Sequence, residues 1–275
     1  MSFHVISGAA ETVDHVGVRK IGVNDLFDAL RKGLADFMAK PSHIVFIIVM
    51  YPIIGVFLAA WTSANEHMLP LLFPLMSGFA LIGPFAALGL YEISRRREQG
   101  IDASWSHALD IRHSPALPSI AAVGAMLVAI FIVWLLVAQS LYVHAFGPTP
   151  PATLSGFMRD IFTTESGRML LVAGNLAGLG FAVLVLCTTV IAFPLLLDRD
   201  VGAYEAIHAS VRAVALNPVP MAAWGLIVAF LLVLGSLPLF AGLVVVLPIL
   251  GHATWHLYRR VIEPARGQIT SGPNS

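Results

Sequence analysis

Charge is scarce in this chain. Only 12% of its 275 residues are Asp, Glu, Lys or Arg, about half the share found in soluble domains. The charges sum to zero, so there is no basic footprint for nucleic acid and no nucleic-acid partner is expected. A single cysteine, Cys187, excludes a disulfide framework and a thiolate metal site. No P-loop, GxSxG or paired-carboxylate arrangement is present, so no catalytic residue is assigned. Residues 1–20 lack the basic-then-apolar layout of a cleavable leader, which leaves the first membrane span as the expected targeting signal.

What fills the space is apolar. Hydrophobic residues make up 57% of the chain and the mean hydropathy is +0.83. Long runs free of charged side chains point to an all-α, polytopic membrane bundle whose first partner is the lipid bilayer.

One unit organises those runs. Tyr204-Glu205-Ala206-Ile207 leads to Asn217-Pro218, and Phe27-Asp28-Ala29-Leu30 leads over the same interval to Lys40-Pro41. A looser copy starts at Trp105 and reaches Pro115 and Pro118. Each is a short amphipathic helix ending at proline, followed by an apolar run. In the first copy Leu26, Phe27, Leu30, Leu34, Phe37 and Met38 keep helical spacing. Asp28, Arg31, Lys32 and Asp36 fall mostly elsewhere on the wheel, and Asn24 is the expected N-cap. Such a helix suits either the headgroup plane or the protein's own cytoplasmic face. The expected domains are a flexible tail over 1–20, a membrane domain over 21–262 with pseudo-repeats at about 21–94, 101–144 and 201–258, and a disordered tail over 263–275.

Six spans are expected, at about 44–62, 69–94, 117–142, 168–197, 219–234 and 239–258, forming three hairpins. The second is broken by Pro70, Pro74, Gly78, Gly83, Pro84 and Gly89. The third has Ala121, Ala125 and Ala129 four apart, and the fourth has Gly174 and Gly178, spacings that permit close helix approach. Thr153 to Phe162 in the long middle loop reads as a short helix. Of the sixteen Lys and Arg, all but Arg159 and Arg168 fall on one side of this layout. The positive-inside rule then places both termini in the cytoplasm of a bacterial inner-membrane protein.

Candidate chemistry is thin. His252 and His256, at i and i+4, share a helix face and could ligate a metal. His43, Glu92 and Asp198 come to the same cytoplasmic end as a polar cluster. Gln139 and Asn175 are the main polar groups at membrane depth, where each suits an interhelical hydrogen bond. A bis-His haem wants ligands deep in two helices, and no span carries a central histidine, so no cofactor is assigned.

Two stretches, Gly83-Pro84-Phe85-Ala86-Ala87-Leu88-Gly89-Leu90-Tyr91-Glu92-Ile93-Ser94-Arg95-Arg96 and Gly251-His252-Ala253-Thr254-Trp255-His256-Leu257-Tyr258-Arg259, carry a resemblance. With the overall layout, the chain resembles the domain-of-unknown-function family 2189 of uncharacterised bacterial integral membrane proteins, over about residues 20–262. The resemblance implies a multi-pass inner-membrane protein and carries no activity with it. Members are sometimes labelled as similar to cytochrome c oxidase subunit I, but the His-Pro-Glu-Val-Tyr motif and adjacent histidine pair of that subunit are missing here. The expected role is non-enzymatic, a scaffold, accessory or assembly protein with other membrane subunits as partners. A small-solute or lipid transporter using the Pro/Gly-broken helices is the alternative, and a haem- or metal-binding redox subunit is another.

Overall fold

In the computed structural model the described residues are 16–41, 74, 83–104, 107, 113–238 and 241–264. The expected first span and most of the second lie outside them, as do His43 and most of the repeat copy beginning at Trp105. The helices are α1 (Val23–Ala39), α2 (Leu88–Glu98, preceded by a turn at Gly83–Ala86), α3 (Leu117–Phe146) and α4 (Leu154–Thr163). They continue with α5 (Glu165–Thr189), α6 (Ala192–Asp198), α7 (Ala203–Leu216), α8 (Pro218–Ser236) and α9 (Leu243–Val261). No strand occurs among the described residues, where one isolated bridge pairs Val18 with Ile262.

Among the described residues three stretches are long and apolar enough to cross a membrane: Leu117–Phe146, Glu165–Asp198 and Pro218–Ser236. These correspond to the expected third, fourth and fifth spans. The expected sixth differs in character. Its helix α9 is apolar only in its first half, and the second half buries His252, Trp255, Leu257 and Tyr258 against protein.

The chain divides into two compact units. The first comprises Met1–Ile44, Pro84–Val123 and Cys187–Ser275, and its centre is α9 packed on α1 and α2. α1 begins at Gly22 rather than at the expected Asn24 cap, because Asp25 reaches back to accept a hydrogen bond from the Gly22 amide at 2.9 Å. Leu26, Ala29, Gly33, Asp36 and Phe37 form its buried face. Asp36 therefore departs from expectation by sitting on the inner face. Gly33 is where the two helices touch: a Cβ there would lie 2.6 Å from the Ala253 nitrogen.

The expected fourth span is broken at Val190 and Ile191, between α5 and α6. Pro194 explains this, since its ring and missing N–H disrupt the helical bonds of the preceding turn. The Ile191 amide, at the break, donates to Ser210 Oγ of α7 at 3.2 Å. Ser210 stands as far before Asn217-Pro218 as Gly33 stands before Lys40-Pro41.

Asn217, at the junction of α7 and α8, is 3% exposed. Its Oδ1 accepts from the Ile21 amide at 2.8 Å, while Nδ2 donates to the Arg19 and Ala213 carbonyls at 3.0 and 3.1 Å. From Val16 onward the segment assigned to the N-terminal tail is thus paired. Arg19 N–H donates to Val261 O at 2.7 Å, and Glu263 N–H to Gly17 O at 3.0 Å. Asn217→Ala strands these buried groups, each worth about 1–3 kcal/mol. We expect faster hydrogen exchange over residues 16–22 together with a lower melting temperature. Unchanged exchange there would show that Asn217 is dispensable.

The second unit comprises Val45–Gly83 and Gly124–Leu186. Trp134 of α3 donates through Nε1 to the Pro74 carbonyl at 3.0 Å and packs against Phe181 of α5. Tyr142, Phe157 and Ile161 form an aromatic-rich cluster with Phe146. The loop helix read over 153–162 is present as α4, capped by Thr153 Oγ1 accepting from the Gly156 amide. Ala121, Ala125 and Ala129 are exposed, whereas the buried line on α3 runs through Val123, Leu127 and Trp134. Gly178 meets Trp134, and Gly174 has nothing within 4 Å.

Candidate functional site, a buried clasp and an arginine-lined cavity

The polar chemistry of the first unit gathers on α1, α2 and α9. Asp36 is its hub. Its Oδ2 accepts from Ser94 Oγ at 2.6 Å and from His256 Nε2 at 2.8 Å, and its Oδ1 pairs with Arg97 Nη1 at 2.9 Å. Ser94 also lies 2.8 Å from His252 Nδ1. A serine hydroxyl has one hydrogen, and the carboxylate can only accept, so that hydrogen goes to Asp36 and Ser94 accepts from His252 Nδ1–H. The order is His252 to Ser94 to Asp36, with His256 and Arg97 converging on the same carboxylate.

This order decides what the group can do. In a nucleophilic triad the imidazole takes the hydroxyl proton, whereas here the hydroxyl proton points at the carboxylate. Ser94 and His252 are both 0% exposed, so no substrate reaches them. Burial alone would raise the pKa of Asp36, but hydrogen bonds from His256 and Ser94 and the nearby imidazoles hold it below the usual aspartate value. The arrangement is a clasp that locks three helices from different parts of the chain.

The i, i+4 histidines are therefore committed to separate partners, His252 to Ser94 and His256 to Asp36. Among the described residues no set of three or more His, Cys, Asp or Glu is arranged around a common metal position. Reading the sequence found the two histidines and missed Asp36, Ser94 and Arg97. The available signal was Asp36 itself, an ionisable residue in register with Leu26, Ala29 and Gly33.

Glu92 and Asp198 line one cavity of about 270 Å³. Glu92 is buried, and both its oxygens are taken: Arg95 donates to Oε2 through Nε at 2.8 Å and to Oε1 through Nη2 at 2.9 Å, and Arg96 Nε donates to Oε1 at 2.7 Å. Asp198 accepts from the Tyr258 hydroxyl at 2.6 Å and lies 3.6 Å from both Arg199 and Arg259. A smaller cavity of about 140 Å³ adjoins Glu98, Trp255 and Arg259. Glu92→Gln leaves two guanidiniums sharing a neutral amide. A charged hydrogen bond is worth about 1.5–3 kcal/mol, and a thermal melt in detergent should register a loss of that size. A melt matching wild type would mean the arginines find other acceptors.

The two polar groups expected at depth lie in the second unit. Asn175 is exposed and spends its Nδ2 on the Leu171 carbonyl one turn back, at 2.8 Å. Gln139 Oε1 is buried with no hydrogen-bond partner among the described residues.

A family model described as predicted integral membrane protein (DUF2189) matches residues 72–198. Over those residues the match bears out the resemblance read from the sequence, and with the apolar helices it makes this an integral membrane protein. The matched stretch takes in Glu92, Ser94, Arg95, Arg96, Arg97 and Asp198, along with α3 to α6. Asp36, His252 and His256 lie outside it, as does the second quoted stretch, Gly251 to Arg259. No curated protein and no solved structure gives a significant match.

Proposed function

We propose that the chain is a non-enzymatic, multi-pass protein of the bacterial inner membrane, acting as a scaffold, accessory or assembly subunit of a membrane complex. In this reading it has six spans in three hairpins, each entered through a cytoplasmic amphipathic helix, with both termini in the cytoplasm. The observation that carries the role is how the ionisable groups are used. Asp36, Glu92 and Asp198 are each held by two or more hydrogen-bond or ion-pair partners of the chain itself, which fits rigid bracing better than turnover. The membrane layout is supported by continuity along α7 and α8. Tyr204 and Val211 expose an apolar stripe that runs through Pro218 onto Val219, Leu226, Phe230 and Val233, each 63% exposed or more on α8.

Mild-detergent purification from the native membrane, with mass spectrometry and a visible spectrum of the same sample, tests the role. Stoichiometric membrane subunits are the expected companions. A colourless single species that moves a solute in liposomes would replace the scaffold reading with transport. That second reading draws on Gln139, whose buried and unpartnered oxygen would suit a polar solute path. Cysteine labelling at Ser2 and Ser275 in sealed inverted and right-side-out vesicles checks the orientation.

A further inference from the structure

The 270 Å³ cavity is not absorbed by a bracing role. Its walls come from the end of α2, from His113 and Ser114 ahead of α3, and from Leu196 to Asp200 at the end of α6. The apolar stretch Leu117–Phe146 begins at this cavity and Glu165–Asp198 ends at it. That places it at headgroup height, a placement resting on the membrane reading above. It is smaller than the roughly 300–1,000 Å³ of pockets for drug-sized ligands, and so suits a compact polar head.

The charges of the wall are arranged unevenly. On the α2 side Arg95 and Arg96 both pair with Glu92. Arg95 spends Nε and Nη2 there, which leaves Nη1 for an incoming acceptor. Ser114 Oγ accepts from the Ala116 amide, so its own hydrogen is available, and His113 is exposed beside it. On the α6 side Asp198 is occupied by Tyr258, Arg199 and Arg259. Asp200, the next acid along, makes no hydrogen bond or ion pair among the described residues and lines the same cavity. Donors for an anion thus face an uncommitted carboxylate across a small space.

We propose that this cavity binds the zwitterionic head of an ethanolamine phosphodiester, with the phosphate held by Arg95, His113 and Ser114 and the ammonium by Asp200. A purely anionic head would meet Asp200 unfavourably. A choline head would place three methyl groups where an ammonium donates hydrogen bonds. Leu196 and Leu197 supply an apolar wall for the first carbons of a lipid bearing that head.

The test uses the purified full chain. In one arm it is equilibrated in nanodiscs of equal phosphatidylethanolamine, phosphatidylcholine and phosphatidylglycerol, re-extracted, and its retained lipid weighed by native mass spectrometry. In the other, glycerophosphoethanolamine, glycerophosphocholine and inorganic phosphate are titrated into the detergent-solubilised protein. Enrichment of the ethanolamine lipid by about tenfold, the order expected of a close charge pair, supports the proposal, and Asp200→Asn should remove it without moving the melting temperature. Binding of glycerophosphoethanolamine without lipid enrichment also supports the site and names a soluble source; this arm stands even if the membrane reading fails. Equal retention of the three lipids, with no response to glycerophosphoethanolamine, overturns it. So does inorganic phosphate binding as well as the ethanolamine ester. Should Asp200→Asn not fold, the wild-type comparison decides alone.

Discussion

Gly33→Leu is expected to detach α1 from α9. The first added carbon would stand 2.6 Å from the Ala253 nitrogen and 2.7 Å from its Cβ, distances at which something must move. The obstacle is mostly the backbone of a packed helix, which cannot rotate aside as a side chain would. Overpacking a core costs about 1–3 kcal/mol and sometimes more, and a branched side chain against a helix backbone belongs at the top of that range or beyond. Because Asp36 sits one turn further along α1, separation would also open the clasp. Limited proteolysis of detergent-purified protein should cut within α1 in the variant and spare it in wild type. Equal protection of both would mean that the contact at Gly33 is not what holds the helix.

Asp36→Ala is the second large effect. It removes the acceptor of Ser94, His256 and Arg97 together, and breaking a buried ion pair from one side costs about 3–5 kcal/mol. Part of that is the guanidinium left without its carboxylate. Since the folded-state pKa of Asp36 is depressed, its stabilisation is fully present above the unfolded aspartate value of about 3.9. It is lost as pH falls through the lower folded value. Melting temperature against pH should therefore drop on the acid side in wild type. In Asp36→Asn the curve should start lower and fall less steeply over that window. Parallel acid limbs in the two proteins would assign the acid sensitivity elsewhere.

Much of this architecture was legible because membrane helices announce themselves by composition. Leu117–Phe146 and Pro218–Ser236 carry no charge in the chain, and their limits follow from Pro118, Pro218 and Gly235. The ends of α1 and α7 were legible too, since these helices stop at Lys40-Pro41 and Asn217-Pro218. Periodicity did not say which face of α1 meets protein. Phe27 and Met38 share the apolar spacing of Leu26 and Phe37, yet they are 61% and 69% exposed, while Asp36 is at 7%. An amphipathic helix beside a membrane has two apolar neighbours, lipid and protein, and hydropathy cannot tell them apart. What marks the protein side is small size and paired polarity, as at Ala29, Gly33 and Asp36. The clasp was hidden for a related reason. Its members stand 58 and 220 residues apart from Asp36, so no local motif contains them.

That separation has a consequence in time. α1 is made well before its main neighbour, α9. Until residue 263 exists, the Gly17 carbonyl has no amide to receive, and Asp36 lacks His256. During synthesis the opening helix must therefore wait with its inner face, including an ionised aspartate, unsatisfied by its eventual partners. A membrane surface would shelter Phe27, Leu34 and Met38 meanwhile and leave Asp36 wet. The ring closes only when the final turn of α9 arrives, so premature termination anywhere before it yields an open chain whose leading helix never finds its seat.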